Sequence, residues 1–140
     1  MIRMVDASRV AEVLGIKATT IRDLALVVER GLPKKALSRT VNRVMLERGA
    51  ARKFLIRVVP EATFKRRVRL SLQESERTER LARVIAAAEY VWDDRKDARE
   101  WLNSPHSELD GKPPLQAAMT ELGARRAEEL LNRIFYGLPA

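Results

Sequence analysis

Apolar residues recur three and four positions apart almost from end to end of this sequence, in short runs that glycine and proline cut off. Such spacing lays one apolar stripe along each helix, whereas a half-buried strand needs strict alternation, which no stretch here sustains for long. Asp6 stands where it can cap a helix ending at Leu14, with Gly15 as its stop. Ile21, Leu24, Ala25 and Val28 form the next apolar face, which stops at Gly31-Leu32-Pro33. Leu37, Val41, Val44 and Met45 follow, and Gly49 interrupts. Ala51, Phe54, Leu55 and Val58 make a further stripe. Pro60 suits a helix's first turn, where its missing N–H is no loss, so a helix is expected from there to about Leu70, with Phe64 and Val68 facing inward.

Beyond this point Ser71 and Glu74 have capping-box spacing ahead of Leu81, Val84, Ile85 and Ala88, a long amphipathic helix. Asp94 to Asp97 open another, with Ala98, Trp101 and Leu102 on one face. The stretch from Pro105 to Pro114 is a loop, and Leu115 to Leu122 is a short helix ended by Gly123. Ala127, Leu130, Leu131 and Ile134 mark the last helix, which stops at Gly137. The expected class is all-α. The chain has 140 residues, room for one core or for two modules sharing one.

Charge divides the chain. Residues 1–74 carry 17 Lys and Arg against 7 Asp and Glu, a net of +10, while residues 75–140 carry 10 against 12, a net of −2; the whole is +8. Solubility alone would not segregate charge this way, so the first half is read as facing a polyanion. The expected helices around 50–58 and 60–70 match a helix-turn-helix in that half. The second presents Thr63, Lys65, Arg66, Arg67 and Arg69 opposite its apolar side, residue types that bind guanine edges and phosphates. Arg52, Lys53 and Arg57 on the preceding helix are placed to grip the backbone. An ordinary helical hairpin with a solvated basic face has the same pattern.

From Ala98 onward the sequence contains Trp101-Leu102, Pro105, Leu109-Asp-Gly111, Pro113-Pro114-Leu115, Thr120 with Gly123, and Leu131 with Arg133-Ile134 and Tyr136-Gly137. In this order and spacing they closely resemble the Xre/MbcA/ParS toxin-binding domain. Upstream, Gly31-Leu-Pro33, Thr63-Phe-Lys-Arg-Arg67 and Glu74-Ser-Glu-Arg77 resemble the same family's segments, Phe64 replacing a leucine. The resemblance covers about residues 20–140. It implies an N-terminal helix-turn-helix DNA-binding domain (1–74) followed by a small helical toxin-binding domain (75–140). It further implies a type II antitoxin, partner of a RES-domain toxin that consumes NAD, which blocks that toxin and represses its own operon on operator DNA.

The residues allow more than one reading of the C-terminal half. Trp101, Leu102, Leu109, Leu115, Leu130, Leu131 and Ile134 would build a core, and Gly111 and Gly123 would supply turns. The closing residues Arg133, Phe135, Tyr136, Gly137, Leu138 and Pro139 are the expected toxin contacts, either as a rigid probe for a partner's cleft or as a frayed tail. A homodimer is expected, since operators read by such motifs are commonly two-fold, with Leu24, Val28, Leu81 and Ile85 as interface candidates. A free-standing regulator whose C-terminal half only dimerises, and an adaptor without DNA binding, are the alternatives.

Enzyme chemistry has little to work with. His106 is the only histidine and stands in a proline-rich loop; cysteine is absent, and with it disulfides and thiolate chemistry. No HExxH, phosphate-binding loop or G-x-G-x-x-G occurs. Asp93, Asp94 and Asp97 are explained by capping, so neither metal nor cofactor is expected. MIRMVDASRV lacks the apolar stretch of a signal peptide, and no apolar run approaches about 18 residues, so a cytoplasmic protein that does not engage the membrane is expected.

Overall fold

The computed structural model describes residues 5–138. Among them the chain forms nine α-helices and no strand beyond one isolated bridge between Pro33 and Arg69. The helices are α1 (Ala7–Leu14), α2 (Ile21–Arg30), α3 (Lys34–Val44), α4 (Arg48–Val58), α5 (Glu61–Arg66), α6 (Leu72–Trp92), α7 (Arg95–Leu102), α8 (Pro114–Ala117) and α9 (Glu121–Phe135). A 3-10 turn, Ser107–Leu109, lies in the proline-rich loop.

Most termini obey the expected chemistry. The Asp6 carboxylate accepts the Arg9 amide, and Gly15 closes α1 at φ 71°, a left-handed conformation that glycine adopts without strain. Ser71 and Glu74 form a reciprocal capping box at the start of α6. Asp94 accepts the Lys96 and Asp97 amides at the start of α7. His106 caps the 3-10 turn through Nδ1, which accepts the Glu108 amide at 3.1 Å, so the lone histidine is occupied structurally.

Five expectations need correction. The helix after Pro60 ends at Arg66 rather than near Leu70, and Val68, read as inward, is 87% exposed. Residues 67–70 turn extended because the Leu70 amide donates to the Leu32 carbonyl at 2.9 Å, tying this stretch to the Gly31-Leu-Pro33 turn. Gly49 and Gly123 do not end helices; each lies in the first turn of one. At Gly49 the Glu47 carboxylate accepts the Gly49 and Ala50 amides and starts α4. At Gly123 a Cβ would collide with the Ala117 carbonyl oxygen, so glycine serves there for the close approach of α8 to α9. Ala25 is exposed rather than part of the α2 core face.

One core runs through the molecule. Leu32, Leu37, Val41, Val58, Leu81, Ile85, Leu102, Leu115 and Leu131 all have 2% exposure or less and belong to a single buried cluster. The 21-residue α6 is its spine: α1, α2, α3 and α4 pack on it, as do α7, α8 and α9. Three successive alanines, Ala86, Ala87 and Ala88, let those neighbours come close. Leu102, Leu109, Leu115, Leu130 and Leu131 are buried as expected, whereas Trp101 and Ile134 are half-buried.

Candidate nucleic-acid interface and partner-binding end

The basic segment is held by short-range contacts to motifs on either side of it. The Leu32 amide donates to the buried Ser75 hydroxyl at 2.9 Å, and a Cβ on Gly31 (φ 94°) would strike the Leu70 carbonyl oxygen. Arg77 donates to the Val58 carbonyl at 3.1 Å, closing the end of α4. Arg67 forms a two-point pair with Glu74: Nε to Oε1 at 3.0 Å and a terminal nitrogen to Oε2 at 3.2 Å. Burial, the largest single influence on Glu74, pushes its carboxyl up, but Arg67 and the Ser71 amide together hold it below the ordinary glutamate value. The end of α4 is thus held by α6, and the segment after α5 is held by α6 and by the Gly31-Leu32 turn.

This frame sorts the cationic side chains. Lys53, Lys65 and Arg66 stand exposed. Arg66 reaches only its own helix, donating weakly to the Ala62 carbonyl and the Thr63 hydroxyl at 3.4 Å each. Thr63 is half-buried beside it. Arg52 is paired with Glu61, which also lies 3.7 Å from Lys65. Arg67 is half-buried and binds Glu74, while Arg69 is exposed and donates one N–H to the Gly31 carbonyl at 3.0 Å. The five expected contacts are therefore divided between α5 and the segment that follows it. Thr63, Lys65 and Arg66 remain together on α5, while Arg67 and Arg69 lie on the extended segment and brace it.

Residues not anticipated from the sequence complete the surface. A cleft of about 370 Å³ between α3, α4 and α5 is lined by Lys34, Asn42, Arg48, Arg52, Phe64 and Lys65 among others. Lys34 sits 5.2 Å from the Phe64 ring centre and 3.5 Å from the Phe64 carbonyl. The cationic surface thus extends onto α3, a helix whose basic residues had no motif to single them out. Such a surface can neutralise phosphates and present side chains to base edges.

At the other end, α9 carries the expected partner contacts. Arg133 is half-buried and bonds Glu108 at 3.1 Å. Phe135, Tyr136 and Leu138 are 43%, 44% and 55% exposed, and Gly137 takes φ 66° as the chain leaves the helix. Pro139 lies outside the described residues. Phe135 and Tyr136 are not frayed: Phe135 lies against Tyr90 of α6 with ring centres 5.4 Å apart, and Tyr136 meets Phe135 edge-on at 5.0 Å. The Leu138 amide donates to the Arg133 carbonyl at 2.8 Å.

Leu81 and Ile85, read as interface candidates, are 1% and 0% exposed within one chain and offer nothing to a second copy. Leu24 and Val28 are buried too, at 8% and 9% exposure, in the wall of a groove of about 880 Å³ lined by α1, α2, α6 and α9, with the half-exposed Ile21 among its lining. Among the described residues no group of three His, Cys, Asp or Glu is placed to hold a metal, and no helix is long and apolar enough to cross a membrane.

Two family models match the chain in tandem. Residues 23–83 match the antitoxin Xre-like helix-turn-helix domain, and residues 87–137 match the antitoxin Xre/MbcA/ParS C-terminal toxin-binding domain; neither describes an enzyme. The two matches meet inside α6, the helix that carries the common core. A curated relative from Pseudomonas putida, Antitoxin Xre, is 33% identical over 84 residues, 57% of this chain and 53% of that protein, so the chain spans about half the length of the relative it matches. With both parts matched in sequence and joined by one helix, the chain belongs to the Xre/MbcA/ParS antitoxin family.

Proposed function

We propose that this protein is the antitoxin of a type II toxin–antitoxin pair, binding and blocking a RES-type, NAD-consuming toxin through its C-terminal half and repressing its own operon through the helix-turn-helix. The observation that carries the reading is the union, on one chain, of a match to a toxin-binding domain and a match to a helix-turn-helix domain whose short helix α5 exposes Lys65 and Arg66. The working division is a DNA-binding part, residues 1–74, and a toxin-binding part, residues 75–140. Thr63, Lys65 and Arg66 read the operator, with Arg52 and Lys53 on its phosphates; Arg67 and Arg69 set the pose of α5. Phe135, Tyr136, Gly137 and Leu138, with Arg133 and Pro139, meet the toxin, the tail lying across the mouth of a cleft that admits a dinucleotide.

The protein acts in the cytoplasm, as a homodimer on a two-fold operator, its second copy covering the groove that Ile21 and the charged residues of α6 line. Co-expression with the product of the adjacent gene, followed by affinity capture, is the test, the captured partner being expected to carry a RES domain. A stoichiometric complex that shifts the operon's promoter DNA is the expected result. A chain that binds promoter DNA but captures no such protein would instead be a free-standing regulator.

A further inference from the structure

Helix α1 lies outside both matched stretches, yet it touches the aromatic end of the molecule. The Arg9 guanidinium sits 5.0 Å from the centre of the Tyr90 ring, and Tyr90 carries Phe135, which carries Tyr136. The three rings belong to the stretch matched to the toxin-binding domain; the arginine does not. Arg9 is exposed, and among the described residues no carboxylate lies within 4.0 Å of its guanidinium. A guanidinium held over an aromatic ring is attracted to it and retains N–H donors for a carboxylate.

We infer that α1 contributes Arg9 to the toxin-binding surface, where the Arg9–Tyr90–Phe135–Tyr136 ledge takes a patch of the toxin that pairs an acidic side chain with an apolar one. The inference rests on the proposed antitoxin function. Continuity of the ledge with residues 87–137 assigns the occupant, since a partner seated on Phe135 and Tyr136 meets Arg9 next. Arginine and tyrosine are the residue types that dominate interface energies. Rings already packed against one another lose little freedom when a partner covers them. Glu12, on the same helix, lies 3.6 Å from Arg43 of α3, which is itself paired with Glu89 beside Tyr90, so α1 is anchored where the ledge begins.

The test measures the affinity of the full chain for the proposed RES-type partner, purified as a catalytically inactive variant. Arg9→Glu is expected to weaken the complex at least about tenfold. Arg9→Gln is expected to weaken it less and to flatten its salt dependence, a signature that loss of packing alone would not give. Melting curves and promoter affinity of both variants should match those of the unaltered chain; Arg9→Gln decides the matter if Arg9→Glu fails to fold. Unchanged toxin affinity in a folded Arg9 variant overturns the inference alone. No binding by the unaltered chain overturns the antitoxin reading and the inference with it.

Discussion

Arg67 and Glu74 grip each other at two points, 3.0 and 3.2 Å apart, across the break between α5 and α6. The Glu74 side chain is 9% exposed and simultaneously accepts the Ser71 amide, so one carboxylate starts the long helix and fixes the segment that precedes it. Adjacent arginines of one basic run therefore have opposite duties: Arg66 is offered to solvent and Arg67 is committed to the fold.

That division gives the first prediction. Arg66→Ala should weaken promoter binding by about 1–3 kcal/mol, steepest at low salt, and leave the melting temperature unchanged. Arg67→Ala should cost about 1–3 kcal/mol of stability, because Glu74 stays buried without its cation. A mobility-shift titration beside a thermal melt separates the two. Equal loss of DNA affinity with full stability in both variants would return Arg67 to the DNA contacts.

The helices were legible because each carries its own stripe and caps: Asp6, Ser71 with Glu74 and Asp94 all act where their spacing places them. The end of α5 was not, because Phe64 and Val68 keep helical spacing while the Leu70 amide is drawn away to Leu32, a partner 38 residues distant. Gly123 misled for a related reason. Glycine ends helices through φ and admits neighbours through its missing Cβ, and sequence alone does not say which; here the neighbour is Ala117. At the site, the exposed cations were visible in the charge run, but the Arg67–Glu74 and Arg9–Tyr90 pairs cross helix breaks or long separations that no local period encodes.

Gly123 supports a second prediction. Gly123→Ala places a methyl group against the Ala117 carbonyl and should lower stability by about 1–3 kcal/mol, read from denaturant unfolding. Gly111→Ala meets no atom within 4 Å and should incur only the strain of φ 77°, a smaller loss. The reverse order of the two effects would contradict the packing role.

Carboxylates give a third, through pH. Glu79 and Glu128 flank Arg83 between α6 and α9, and burial raises both above the ordinary value of 4.5 despite that cation. They hold protons more tightly folded than unfolded, so their contribution is complete below the unfolded value and is lost as pH rises through the raised folded one. Melting temperature should therefore climb as pH falls from neutrality toward the ordinary glutamate value, and the climb should shrink in the Glu79→Gln, Glu128→Gln double variant. Glu74 and Asp110, held low, act the opposite way and favour unfolding only at lower pH, as their carboxylates protonate. A flat profile in the unaltered chain would contradict this account.

Ending the chain at Phe135 removes the Tyr136 ring and the residues after it while sparing the α9 core, Leu130 and Leu131. Helix content and promoter affinity should persist, and affinity for the toxin should fall by about tenfold or more. Undiminished binding by the shortened chain would move the contact to the Trp101–Pro114 surface.

The central claim is that this chain silences a NAD-consuming toxin. The direct measurement is cellular NAD after induction of the proposed RES-type partner, with and without this chain. The account predicts depletion when the RES-domain protein is made alone and a normal NAD level, with growth, when the two are made together. NAD that stays depleted despite abundant, folded chain would contradict it.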